Sequence, residues 1–218
     1  MLRFLIERPV DAPIKLLCLG AHCDDIELGC GGTILKWLNE HESVDIHWIV
    51  FSAAGERLRE AEQSANQFLS AAASKRIEFH AFPDGYFPSA YSAIKDKFEH
   101  IKTRAHPDLI LTHHLEDRHQ DHKLLADLTW NTFRNHLILE YEIPKYEGDL
   151  GKPNLFVQLD KATCLSKARL IYENFPSQRA RDWFDEETIL SLARIRGIES
   201  KSPSQFAEAF HCRKLVIG

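Results

Sequence analysis

The sequence predicts an α/β protein built on a largely parallel, helix-flanked sheet. Three observations lead there. Apolar runs alternate with amphipathic stretches from Ile14 to Tyr141, the pattern of strand, crossover helix, strand. The first run, Ile14 to Leu19, is apolar almost throughout, as a strand covered on both faces is. Two of the runs break at their carboxyl ends into clusters of His and Asp, where α/β folds keep their chemistry. The 218 residues suit one domain, 1–218, with a sizeable core.

Taken in order, Met1 to Pro13 reads as a leading arm or edge strand. Ile14 to Leu19 is a strand, His22 to Cys30 a loop, and Gly31, Gly32 and Thr33 open a helix that closes near Glu40. Val44 to Phe51 is a second strand. Glu56 to Ala73, rich in Ala, Glu and Gln, is a helix. Ile77 to Phe82 is a strand, Pro83-Asp84-Gly85 a turn, and Ala90 to Ala105 a helix stopped by His106-Pro107-Asp108. Leu109 to Thr112 is a fourth strand, Lys123 to Asn135 a helix, and Leu137 to Tyr141 a fifth strand. Pro144 to Pro153 is a loop over the site. A short strand, Leu155 to Leu159, precedes helices at Lys161 to Asn174 and Asp185 to Arg196. Ser204 to His211 reads as a turn into a last strand, Cys212 to Ile217.

Composition narrows the function classes. The chain is 44% hydrophobic and 27% charged, as ordinary globular proteins are. Its net charge of -5, with both signs mixed, gives no footprint for nucleic acid or an anionic membrane. No apolar run is long enough to span a bilayer, and the start, broken by Arg3, Glu7 and Arg8, is not read as a signal peptide. Five cysteines without a CxxC pair point to free thiols in a reducing compartment, by default the cytoplasm.

The two clusters carry the chemistry. His22 and Asp25 are spaced to reach one metal ion from a single turn, and His122 can supply a third ligand from the second cluster, Leu109 to His122. Two His and one carboxylate suit Zn(II) with a water in the open position. Such an ion lowers the pKa of bound water from about 16 toward about 7. Asp24, beside a ligand, can take the water's proton. His119, three residues before His122, can stabilise an oxyanion or protonate a leaving amine. Asp121, between them, can hold one imidazole in a fixed tautomer. Taken alone, Asp24-Asp25 reads as a helix cap and the His-rich stretch as a surface loop; the pair of clusters, each after an apolar strand, points to one composite site. The glycines after them lack GxGxxG spacing and read as a tight turn into a helix.

These residues resemble a known family. AHCDDIELGCGGT, Ala21 to Thr33, resembles the AHPDD-x-x-LGxGGT signature of the PIG-L/LmbE zinc-dependent deacetylases, and DRHQDH, Asp117 to His122, their H-x-D-H. Arg57 and Glu60 match an R-x-x-E after the second strand, Pro83 to Gly85 a turn, and Ser177-Gln178 and Arg196 to Phe210 the carboxy-terminal SQ and RG…YAEAF segments. The resemblance implies a three-layer α/β/α sandwich, Rossmann-like, with a mainly parallel sheet. It implies His22, Asp25 and His122 as metal ligands, Asp24 as general base, His119 as oxyanion stabiliser or acid, and Asp121 as its supporting carboxylate. Arg57, and Asp84 as a second candidate, fall on substrate-contact positions. The implied activity is hydrolytic removal of the acetyl group from an N-acetylated amino sugar or N-acetylglucosamine conjugate, with Zn(II), or Fe(II) on the same ligands. The implied partner is this small-molecule substrate, without nucleic acid or membrane insertion, and since several members assemble there is room for a homo-oligomer. Cys23 stands where proline is usual and Phe206 where tyrosine is usual; neither removes a ligand or the base. Two other readings fit the residues: a two-metal phosphoesterase, with Asp117 and His113 or His114 as spare ligands, and a non-catalytic carbohydrate-binding protein.

Overall fold

The computed structural model describes residues 12–41 and 43–216, so the leading arm, residue 42 and the last two residues lie outside the account. Seven strands form one sheet: β1 (Ile14–Gly20), β2 (Val44–Val50), β3 (Ser74–Phe79), β4 (Leu109–His113), β5 (Leu137–Tyr141), β6 (Leu155–Leu159) and β7 (Phe206–Cys212). Among the described residues six α-helices connect them: α1 (Asp25–Glu40), α2 (Gly55–Phe68), α3 (Tyr91–Arg104), α4 (Gln120–Thr132), α5 (Lys161–Asn174) and α6 (Glu186–Glu199). The strand order is β3-β2-β1-β4-β5-β7-β6. β1 to β5 are mutually parallel, and β7 runs antiparallel to both β5 and β6.

β1 divides the core. Leu16 and Cys18 face one side, among residues of α1, α2 and α5, and Leu17 and Leu19 face the other, among residues of α3 and α4. Alternate side chains of one apolar strand thus serve two cores, which explains its uninterrupted pattern. The result is the expected three-layer α/β/α sandwich. Because β1 and β4 are neighbours where the strand order reverses, the segments leaving their carboxyl ends emerge side by side. Among the described residues no helix is long and apolar enough to cross a membrane.

β3 and α4 begin three residues earlier than expected and α2 ends five residues earlier, at Phe68; two further elements differ more. α1 begins at Asp25, not Gly31, so the glycines lie inside the helix and are buried. Close packing explains them. A Cβ at Gly29 would stand 2.2 Å from the Tyr141 ring, and one at Gly32 2.6 Å from Leu159 and 2.8 Å from Glu208. The last strand is Phe206–Cys212, within the stretch expected to turn. The turn falls earlier, where Lys201 and Gln205 take positive φ of 50° and 67°. Small Ala207 and Ala209, alternating with charged Glu208, hide the strand from an apolar-run reading.

Glu208 is buried and fastens this strand to α1. Its Oε1 accepts from the Gly32 N–H at 2.8 Å and from Lys167 Nζ at 2.6 Å, and its Oε2 from the N–H and hydroxyl of Thr33, both at 2.6 Å. Lys167 also donates to the Leu28 carbonyl at 2.6 Å. Removing one member of such a pair leaves the other charge uncompensated in the core. Glu208→Ala is therefore expected to lower unfolding free energy by about 3–5 kcal/mol, read from urea denaturation; a loss below about 1 kcal/mol, the scale of an exposed pair, would show the pair to be solvated.

Candidate active site

The first cluster hangs from the end of β1. Pairing with the segment after β2 continues past the strand, Phe51 N–H to Gly20 O at 3.0 Å and Ser52 N–H to Ala21 O at 2.8 Å, and fixes the backbone that carries His22. Asp25 opens α1, where the helix dipole favours a carboxylate, and its Oδ2 accepts from the His22 N–H at 2.6 Å. The second cluster leaves β4 and enters α4, whose first turn holds Asp121 and His122. His119 caps that helix: its Nδ1 accepts from the Asp121 N–H at 3.3 Å.

The loops meet. His22 Nδ1 lies 3.1 Å from His122 Nε2 and 3.4 Å from Asp25 Oδ2, and His122 Nε2 lies 3.5 Å from that same oxygen. Ligand atoms about 2.0–2.1 Å from a tetrahedral zinc stand about 3.3 Å apart, so the triangle has a metal site's dimensions. The tautomers agree. His122 Nδ1 is 2.9 Å from Asp117 Oδ2, and His22 Nε2 is 2.9 Å from Asp84 Oδ1 and 3.2 Å from Asp121 Oδ2. Each far ring nitrogen donates to a carboxylate, which leaves the near nitrogen's lone pair facing the triangle. Three such donors facing one point call for a cation among them. Other groups of His and Asp atoms within 4.8 Å also occur here: His22, His119 and His122; Asp25, His113 and His122; His22, Asp84 and Asp121.

The electrostatics suit a cation. Burial alone would raise the Asp25 pKa, yet His122, His113 and His22 hold it well below the usual range. Burial would lower that of His22, but Asp25, Asp121 and Asp84 raise it well above the ordinary value. Asp24 is buried and its pKa is raised, chiefly by burial, although Arg57 Nη2 donates to its Oδ1 at 2.7 Å and opposes the shift. Burial, then His122 and His22, lower that of His119. His113 is pushed down to about 4, first by burial; its Nε2 accepts from the Ala21 N–H at 2.9 Å. Cys23 is turned to the Ser52 carbonyl at 3.4 Å, and burial pushes its thiol up to about 12.

His22, Asp24, Asp25, Arg57, Asp84, His119 and His122 line one cleft, and Asp121 lies behind them against His22, with one difference in contacts. The Asp121 carboxylate does not reach His119. It accepts from the N–H groups of Gly85 at 2.6 Å and Phe87 at 3.0 Å and meets His22. Asp121 sets the His119 tautomer through its backbone N–H instead. Asp117, considered only as a spare ligand, is the carboxylate on His122. Its Oδ1 accepts from the His119 N–H at 2.8 Å, an Asx turn whose sequence signal is an Asp two residues before a helix cap.

The cleft above the triangle encloses about 210 Å³ and is walled by Arg57, Asp84, residues 143 and 145–147, and the segment holding Gln178, Arg181 and Trp183. Glu60 secures the latter wall: its carboxylate accepts from the N–H and hydroxyl of Ser177 at 2.9 and 2.6 Å. Arg196 secures the former, with two bonds to Glu142 at 2.6 and 2.7 Å and one to the Gly151 carbonyl at 3.4 Å. His114 and His211 stack beside Gly151 with ring centroids 3.7 Å apart.

Comparison with known proteins follows this geometry. The model of the PIG-L family, described as GlcNAc-PI de-N-acetylase, matches residues 17–133, from β1 to the end of α4, and so takes in both clusters. A conserved protein from Thermus thermophilus superposes with a TM-score of 0.71 at 19% identity, covering 94% of this chain and 97% of that one. N,N'-diacetylchitobiose deacetylase from Pyrococcus horikoshii gives 0.72 at 20% identity, covering 96% and 87%. A 4-carboxy-2-hydroxymuconate hydratase from Pseudomonas putida gives 0.70 at 16% identity, covering 94% and 98%. At these identities the likenesses establish a shared fold.

The stacked pair under Gly151 has a measurable consequence. Burial first, then His114, pushes His211 down to about 4. Between that value and about 6.5 the unfolded chain binds the proton that the folded chain refuses, so stability present above pH 6.5 is lost as pH falls toward 4. His211→Phe keeps the stack and removes the titration. Its urea midpoint is expected to fall less between pH 7 and pH 5 than that of the wild type; an equal fall would show that His211 is solvated.

Proposed function

The chain belongs to the PIG-L family, and from that premise we propose that it is a metal-dependent hydrolase that removes the N-acetyl group from an N-acetylated amino sugar or N-acetylglucosamine conjugate. Acetate and a free amine are the products. The observation that carries the reading is the triangle of His22 Nδ1, Asp25 Oδ2 and His122 Nε2, with edges of 3.1–3.5 Å and Asp24 next to it in the chain. The family's description as a de-N-acetylase and the chitobiose deacetylase fold support it.

His22, Asp25 and His122 would hold Zn(II), or Fe(II) with the same donors. When bound, the ion supplies Lewis acidity and acidifies a water held beside it. Asp24 takes the proton of the attacking water. Its raised pKa brings it nearer to that task, and Arg57 keeps its carboxylate aimed. Because the His119 pKa is lowered and its Nδ1 accepts from Asp121, the ring is neutral near pH 7 and carries its hydrogen on Nε2. It then acts as a hydrogen-bond donor to the developing oxyanion. The proton held by Asp24 passes to the leaving nitrogen, so that one proton leaves water and one arrives on the amine. Arg57 and Asp84, which both come between the two clusters in sequence and line the cleft, supply contacts for sugar hydroxyls. The cleft draws on residues from His22 to Trp183 over one sheet, which supports reading 1–218 as one catalytic domain. The phosphoesterase reading needs a second ion with its own ligands, whereas the groups of potential ligands among the described residues all share His22 or His122.

The test is metal content together with turnover on a panel of acetamido sugars. One equivalent of zinc or iron per chain is expected in the wild type and in Asp24→Asn, and less than a tenth of that in His122→Ala. Asp24→Asn is expected to lose about 10²–10⁴-fold in turnover. A fully active Asp24→Asn enzyme would remove Asp24 from the mechanism, and two equivalents of metal would favour the phosphoesterase.

A further inference from the structure

Lys145 has no place in the chemistry above, yet it stands one contact away from a proposed metal ligand. Its Nζ lies 3.1 Å from Asp117 Oδ2, the oxygen that accepts from His122 Nδ1 at 2.9 Å. The same ammonium binds both oxygens of Asp149, at 2.6 and 2.7 Å, and Asp149 Oδ2 accepts from the Arg118 N–H at 2.7 Å. The side chains of Lys145, Asp117 and Asp149 are 9%, 3% and 5% exposed, so these contacts are largely shielded from water. The backbone carrying Lys145 is held at both ends, since Arg196 bonds Glu142 before it and Gly151 after it. Lys145 also lines the cleft, beside Tyr146 and Glu147.

We propose that Lys145 is a positioning residue for the metal site: it pins the Asp117 carboxylate on His122 and so ties the 143–151 wall of the cleft to the grip on the ion. The inference rests on the reading of His22, Asp25 and His122 as the metal ligands. Asp117 Oδ2 receives two donors, the imidazole N–H and the ammonium. With both in place the carboxylate has one orientation, and so has the ring that presents Nε2 to the triangle. Without the ammonium, Asp117 keeps the His119 N–H on Oδ1 but has only the imidazole on Oδ2, so the carboxylate can turn about the Oδ1 bond and the His122 ring turns with it. Carboxylates that orient a ligating histidine govern metal affinity. The plainer role, an i,i+4 pair that only braces Lys145 against Asp149, predicts no effect on the ion.

The experiment is zinc binding to the purified full chain, by competition with a chromophoric chelator, for wild type, Lys145→Met, Lys145→Arg, Asp117→Asn and the double variant Lys145→Met/Asp117→Asn. Lys145→Met is expected to raise the zinc Kd about 10-fold and Asp117→Asn about 10–100-fold. The double variant should bind no more weakly than Asp117→Asn alone, because Lys145 acts through Asp117. Lys145→Arg should restore affinity to within about threefold of wild type. Lys145→Gln replaces the methionine variant if circular dichroism shows the latter unfolded. A Kd for the uncharged variant within twofold of wild type, or single losses that multiply in the double variant, overturns the inference and leaves the ligand assignment standing. A wild-type chain that takes up no zinc overturns both.

Discussion

Everything at the cleft depends on the parallel pairing of β1 with β4. Leu16 is set opposite Leu109 and Cys18 opposite Leu111, so two segments a hundred residues apart in sequence leave the sheet at the same edge. Neighbouring strands stand about 4.8 Å apart, and side chains a few residues beyond their ends can close on a single ion. The register is held by burial on both faces. A slip of one residue would move Leu17 and Leu19 into the core that Leu16 and Cys18 now fill. The carriers of the site, β1 and β4, are buried along almost their whole length, which leaves them little room to shift.

Charge is the second constraint. Four buried carboxylates, Asp24, Asp25, Asp117 and Asp121, gather around the floor, against the cations Arg57 and Lys145. A cation among them would offset part of the excess negative charge. Until one is bound, the histidines carry the compensation, which is why the His22 pKa stands so far above its usual value while that of His113, whose Nε2 meets a backbone N–H, falls. The arrangement sorts chemically similar residues into different tasks by their neighbours alone. Asp24 and Asp25 are adjacent in sequence and both buried, yet burial outweighs the guanidinium at Asp24 while the imidazoles outweigh burial at Asp25, so their pKa values move in opposite directions.

Local signals made much of this legible. Leu137–Tyr141, Leu155–Leu159 and Lys161–Asn174 coincide with their expected bounds, since apolar content and turn residues flank each one. The positions of both clusters at strand ends followed from pattern as well, and the residues singled out in them do lie around one cleft. What escaped was set by distant partners. The glycines of α1 answer to Tyr141 and Glu208, and Phe206–Cys212 is a strand because β5 and β6 flank it. Lys145 looks like any loop lysine until Asp117 is placed beside it. The exchange of partners around Asp121 and Asp117 was also out of reach, because spacing on one turn does not say which of two adjacent carboxylates faces which ring.

The bond between Glu208 and the middle of α1 bears on how the protein comes into being. The helix that presents Asp25 is seated by a carboxylate 176 residues further along the chain. At about 5–20 residues per second of synthesis, roughly 10–35 s pass between the appearance of Gly32 and that of its partner. During that interval the first cluster exists without the strand that locks its helix, and the Gly32 and Thr33 N–H groups have yet to meet their carboxylate. Assembly of the cleft is thus a late event in the life of the nascent chain, although two of its three proposed ligands are made well before the third.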